Sequence, residues 1–186
     1  IIGARELLHD EERWCLWLVG AEPSDIRKSP ELNRRVAAVK EFRLQSTDKM
    51  TIADAQKPSE FQKIRQPSTY YIAVPLHSSE DREYVPLALV NSEVIANNAI
   101  SVIPDGSLRT FGLLMSRVFN VWNQTVSGRL ESRTRISGTI TYNNFPFPEV
   151  TAEQDAQLEL ASKMVLESRE KYPGSSLADL YDSATM

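Results

Sequence analysis

Ser107-Leu108-Arg109-Thr110-Phe111-Gly112-Leu113-Leu114-Met115-Ser116-Arg117-Val118-Phe119-Asn120-Val121-Trp122 is the stretch around which the rest of the chain is organised. Apolar side chains stand at Leu108, Phe111, Leu114, Met115, Val118, Phe119 and Trp122, the i, i+3, i+4, i+7 spacing of a helix with a wide apolar face. Ser107 sits where an N-cap belongs. Leu113 and Val121 carry apolar surface onto other sides, so the sequence predicts one central helix, buried nearly all round. Other elements must pack against a helix of that kind. Arginines follow it closely at Arg129, Arg133 and Arg135, with Arg109 and Arg117 inside the helix. The segment is either a core helix with a solvated basic end or a core helix leading into an anion-binding surface.

Upstream, Tyr70–Leu76 and Tyr84–Val90 are apolar runs that flank a polar turn and predict two strands. Val94–Ala96 reads as a strand or a short helix, and 99–103 as a further strand. Near the start, Arg13–Val19 predicts a buried strand, and Ser29-Pro30 opens a helix with a basic exposed side that includes Arg34. Residues 45–67 form a long polar connection, with a short helix expected near Pro58–Ile64.

Downstream, Thr139–Tyr142 predicts a short strand, and Phe145-Pro146-Phe147-Pro148 a rigid extended segment. Thr151 with Gln154 is a capping-box signature for a long last helix, which Pro173-Gly174 ends. The class is α+β: a mixed sheet of short strands around a buried central helix, with a helical C-terminal segment. The expected division is a recognition part over residues 1–148 and a helical region over residues 149–186.

At 186 residues the chain can bury a sizeable core, and its 41% apolar and 25% charged content is ordinary for a globular protein. No apolar run approaches the ~20 residues of a membrane span. Cys15 is the single cysteine, which rules out an internal disulfide framework and fits a reducing cytoplasm. The chain opens on Ile1 and is expected to be a piece of a longer protein. Its net charge of −4 hides an alternation. Residues 30–77 hold 8 basic and 5 acidic side chains, residues 107–142 hold 5 and 1, and residues 143–186 hold 3 and 8. Screening confines each patch to ~8–10 Å, so a basic patch can meet phosphates on an acidic domain.

No complete active site is legible. His9 and His77 stand alone, and there is no Gly-x-Ser-x-Gly elbow, no P-loop and no Gly-x-Gly-x-x-Gly. Arginine, asparagine, glutamine and serine near aromatics are instead the equipment of phosphate positioning and base-edge readout. The other reading is a protein-interaction module whose basic patches meet an acidic partner.

A set of blocks in fixed order narrows the choice: Glu12-Arg13-Trp14-Cys15-Leu16-Trp17-Leu18, Ile64-Arg65-Gln66-Pro67, Ser78-Ser79-Glu80-Asp81-Arg82, Phe111-Gly112-Leu113-Leu114-Met115-Ser116, Gly128-Arg129-Leu130, Tyr142-Asn143-Asn144-Phe145-Pro146-Phe147-Pro148 and Tyr172-Pro173-Gly174-Ser175-Ser176. The set resembles the target-recognition domain and C-terminal helical region of MmeI-like DNA methyltransferases, single-chain restriction–modification enzymes of the type IIG (IIL) kind. That resemblance implies double-stranded DNA as a partner. It also implies an upstream domain of the same chain that binds S-adenosylmethionine and methylates adenine N6, in many members beside a nuclease. It implies no cofactor here, and the family's catalytic Asn/Asp-Pro-Pro-aromatic motif is absent; Asn144-Phe145-Pro146-Phe147 is only superficially like it. Positions shared across such a family serve fold or phosphates, which marks Arg65, Gln66, Ser78, Ser79, Arg82, Arg129 and Asn143. Base readers are then expected elsewhere: from Arg43 to Lys63, from Asn91 to Asn98 with Asn97 and Asn98 as candidates, and from Arg133 to Arg135.

Overall fold

Two units make up the computed structural model, which describes residues 1–186. One is Trp14–Arg65; the other joins Ile1–Arg13 to Gln66–Met186. Helix α1 (Ala4–His9) belongs to the second, and the Glu6 carboxylate closes its start by accepting from the Gly3 N–H at 2.7 Å.

Trp14–Arg65 carries α2 (Pro23–Lys28), α3 (Pro30–Leu44) and α4 (Lys49–Asp54). Ser29 caps α3 as its sequence predicts, accepting from the Leu32 N–H at 3.3 Å with Pro30 next in line. The run at 13–19 is irregular and not a strand, and Trp14 is 85% exposed. No neighbouring strand supplies the ladder that its backbone groups would need. Trp17 instead stacks on Phe61 with ring centroids 5.3 Å apart. The short helix also lies earlier than the expected 58–64, because Asp48 caps it by accepting from the Thr51 N–H at 2.8 Å. Ala55 alone in this unit is buried.

The larger unit is α+β, with its strands divided between two antiparallel sheets rather than gathered in one mixed sheet. Strands β1 (Tyr71–Pro75), β2 (His77–Ser78), β3 (Ala88–Val90) and β4 (Ile100–Pro104) precede the central helices, and β5 (Gly128–Leu130) and β6 (Arg133–Arg135) follow them. The sheet orders are β3-β1-β4 and β2-β6-β5. Leu76 links the two sheets: its N–H donates to the Ala99 carbonyl at 3.0 Å, and its carbonyl accepts from the Ile136 N–H at 2.9 Å. The parallel pairing is limited to one bridge between Ile2 and Ala96.

The expected single helix over 108–122 is two, α5 (Leu108–Met115) and α6 (Arg117–Val126). Ser107 caps α5 as predicted, accepting from the Thr110 N–H at 3.1 Å. Ser116 breaks the run by taking an extended conformation, where its hydroxyl donates to the Leu113 carbonyl at 2.6 Å and accepts from the Phe119 N–H at 3.2 Å. Helix α5 buries Phe111, Leu113, Leu114 and Met115 as a hub should. Helix α6 does not: Val118 and Val121 are 69% and 54% exposed. Phe111, Leu114 and Phe119 join Ile72, Val74 and Leu87 of the first sheet region in the core.

The expected strand at 139–142 is a π-helical turn, Gly138–Tyr142, which Ser137 caps at Ile140. The Asn144 amide tightens it by donating to the carbonyls of Thr139 (2.7 Å) and Ile140 (3.0 Å). Phe145 then inserts edge-on against Phe119 and Phe147. Helix α7 (Ala152–Glu170) starts with the predicted Thr151–Gln154 capping box and packs on α5; α8 (Leu177–Leu180) closes the chain. Arg169 ties this end to the core, donating to the Leu87 carbonyl at 2.8 Å and the Tyr181 hydroxyl at 2.6 Å. No helix is long and apolar enough to cross a membrane.

Candidate nucleic-acid interface

The second sheet sorts its side chains by register. Strand β6 lies between β2 and β5, with Thr134 opposite Ser78 on one side and Arg129 on the other. Residues directly opposite in an antiparallel pair share a face, and neighbours along a strand alternate. Ser78, Thr134 and Arg129 therefore share one face. Arg133 and Arg135 take the other, which is exposed.

The Thr134 face forms one wall of a pocket of about 150 Å³. Four of the residues marked from the sequence meet there: Ser78, Ser79, Arg82 and Arg129. Helix α6 supplies the opposite wall with Asn120, Asn123 and Gln124. The Arg129 guanidinium is held by the carbonyls of Ser132 (2.9 Å) and Gln124 (3.4 Å), which uses two of its five N–H groups. Arg82 has no carboxylate within ion-pair distance. Glu80 stands on the rim, and the Ser132 hydroxyl, backbone bonding and then the nearby charges of Arg133 and Arg129 hold its carboxyl below the usual carboxylate range. The pocket thus carries two arginines against one ionised glutamate.

Sequence reasoning missed the α6 wall, because the apolar periodicity that marked the helix over 108–122 says nothing of Asn120, and Asn123 lies beyond its end. Both are buried. Asn120 spans the break at Ser116: its Oδ1 accepts from the Val85 N–H at 2.8 Å, and its amide donates to the Ser116 carbonyl at 2.9 Å. Asn123 begins a polar chain, its Oδ1 accepting from the Ser127 hydroxyl, which lies 2.6 Å from the Thr141 hydroxyl. The available signal was the i, i+3 spacing of Asn120 and Asn123 on one helical face.

The remaining marked residues stand elsewhere. Arg133 is paired with Glu131 at 2.7 Å, whereas Arg135 has no such partner. Gln66 is fully engaged with the 92–96 loop: its amide nitrogen donates to the carbonyls of Ser92 and Val94, both at 2.9 Å, and its Oε1 accepts from the Ala96 N–H at 3.3 Å. Asn97 turns its Oδ1 onto the Ala99 N–H at 2.7 Å, while Asn98 and Asn143 are exposed. In the Trp14–Arg65 unit, Arg34 pairs with Glu31 at 2.7 Å. Arg43 holds the carbonyls of Asp54, Lys57 and Glu60 at 2.7–2.9 Å. Lys63 and Arg65 are exposed and make no ion pair.

No three His, Cys, Asp or Glu side chains gather to hold a metal ion. The fold presents arginines on both faces of one small sheet, with the amide side chains of α6 beside one of them. Residues 1–149 match the family described as MmeI, target recognition domain, and residues 150–186 match that described as MmeI, C-terminal domain. The chain belongs to the MmeI target-recognition family. It is 37% identical over 185 residues to DNA methyltransferase A of Bacillus subtilis (strain 168), a match that takes in all of this chain and 21% of that protein. It also superimposes with a TM-score of 0.96 and 43% identity on the Type IIL restriction–modification enzyme MmeI, solved in complex with DNA. That match covers 100% of this chain and 25% of the MmeI chain.

Proposed function

We propose that this chain is the sequence-reading module of a longer S-adenosylmethionine-dependent adenine-N6 DNA methyltransferase, of the restriction–modification kind, acting on double-stranded DNA in the cytoplasm. The observation that carries the reading is the convergence of Ser78, Ser79, Arg82 and Arg129 on one pocket of the sheet whose other face bears Arg133 and Arg135. The likeness over the whole chain to MmeI, solved with DNA, supports it. Arg82 and Arg129 position the backbone, and Arg133 and Arg135 approach base edges, where a guanidinium pairs with guanine O6 and N7. Residues 1–148 grip and read; residues 149–186 brace that part through the contact of α7 with α5.

The cofactor does not fit the residues present. S-adenosylmethionine carries a sulfonium cation, and the pocket described above is rimmed by two arginines. Its site belongs to the methyltransferase domain of the longer protein, reached along the same chain.

Selection from a pool of randomised duplexes by the full-length protein tests the reading. Enrichment of one short motif is the expected result. Retention of duplexes without sequence preference, or no retention, contradicts it, the latter favouring an acidic protein as partner.

A further inference from the structure

Two donors on the walls of the Arg82–Arg129 pocket make no hydrogen bond within the protein. Asn123 is 2% exposed, and its Oδ1 is taken by the Ser127 hydroxyl while its amide nitrogen donates to nothing. Ser78 is 3% exposed, and its hydroxyl likewise makes no hydrogen bond within the protein. Both donors open into the pocket rather than being sealed from solvent, and two open donors beside two guanidinium groups suit an anionic acceptor. The charged groups on its walls are Arg82, Arg129 and Glu80, one net positive charge. At about 150 Å³ the space is several times the ~30 Å³ share of one water in the liquid, room enough for a phosphate group.

Resting on the DNA reading above, we propose that this pocket seats a single phosphodiester of the DNA backbone, with Asn123 Nδ2 and Ser78 Oγ donating to its free oxygens and Arg82 and Arg129 balancing its charge. One net positive charge matches the single negative charge of a phosphodiester. It does not match a phosphomonoester, which carries about −1.5 to −2. Glu80 on the rim opposes the bound anion and sets the affinity below what the arginines alone would give. The polar chain from Asn123 through Ser127 to Thr141 fixes the amide, so the donor is aimed before DNA arrives.

The test measures binding of random-sequence duplexes by the full-length protein. Asn123→Asp keeps the acceptor that Ser127 needs and replaces the open donor with a carboxylate oxygen. It is expected to retain the melting temperature and weaken binding by about tenfold or more. Arg129→Ala should lower the slope of log K against log salt by about 1. Glu80→Gln should tighten binding several-fold, an outcome that does not depend on any Asn123 variant folding. Unaltered binding by Asn123→Asp, or weaker binding by Glu80→Gln, would each overturn the seat and leave the DNA reading standing. A wild-type protein that retains no duplex overturns that reading and the seat together.

Discussion

Arg82 and Arg135 are the same side chain put to different expected uses, and their variants should divide accordingly. Arg82 faces the pocket, so Arg82→Ala should weaken binding about equally on every sequence and lower the salt slope by about 1. Arg135 stands on the exposed face of β6 without a carboxylate partner, so Arg135→Ala should instead relax one position of the target, at a cost of ~1–3 kcal/mol. Target-site profiling of the two variants side by side checks this. A uniform loss from Arg135→Ala would deny it a base. Glu31 offers a second check at this scale. Hydrogen bonds from Arg34 and then Arg35 hold its carboxyl down at about 2, against an ordinary 4.5. A depressed carboxylate contributes stability above the ordinary value and loses it as the pH falls towards the depressed one. The contribution to α3 is therefore present above pH 4.5 and disappears between there and about 2. A side-chain NMR titration should place the midpoint near 2 at low salt, and a midpoint near 4.5 would show the pairs to be absent in solution. Residue types alone were a partial guide. They marked the pocket's serines and arginines, but not that Gln66 and Arg43 would spend their donors on backbone carbonyls, since a carbonyl partner leaves no trace in the sequence.

At the level of elements, Gly112 sets how close α5 and α7 can come. A Cβ there would collide with Ser162 Oγ and lie 3.2 Å from the Leu158 carbonyl. Gly112→Ala should therefore cost about 1–3 kcal/mol by overpacking, despite alanine's better helix propensity. Thermal unfolding measures this, and an unchanged Tm would mean that the helices can part without penalty. Gln66→Ala should likewise lower Tm, by the loss of three hydrogen bonds to the 92–96 loop, about 1–3 kcal/mol. Any loss of DNA affinity should then follow stability and not a change in salt slope. Helix starts were legible because a cap is a local matter. Ser29, Ser107 and Thr151 each satisfy a backbone N–H within three residues. The break at Ser116 used the same chemistry but lay hidden inside an unbroken apolar period. The strand expected at 13–19 failed for a non-local reason. Its apolar side chains suit a sheet, but no partner strand reaches it, and a strand is defined by its neighbours.

For the molecule as a whole, the charge alternation along the chain, and not the net −4, is the sequence feature that motivates the phosphate-binding proposal. The division of six strands into two sheets was not legible, because Leu76 joins the sheets through backbone bonds that any residue but proline could make. The chain is expected to bind no S-adenosylmethionine of its own, and calorimetric titration should show no saturable heat. On the reading proposed above, an acidic chain grips DNA through local cationic surface. The most direct test is the affinity of the full-length protein for duplex across a series of salt concentrations. The expected result is a straight fall of log K against log salt with a slope of about −0.9 for each phosphate contacted, amounting to powers of ten over a few-fold rise in salt. Affinity that stays level across the series, or no affinity for duplex at its lowest salt, would contradict it.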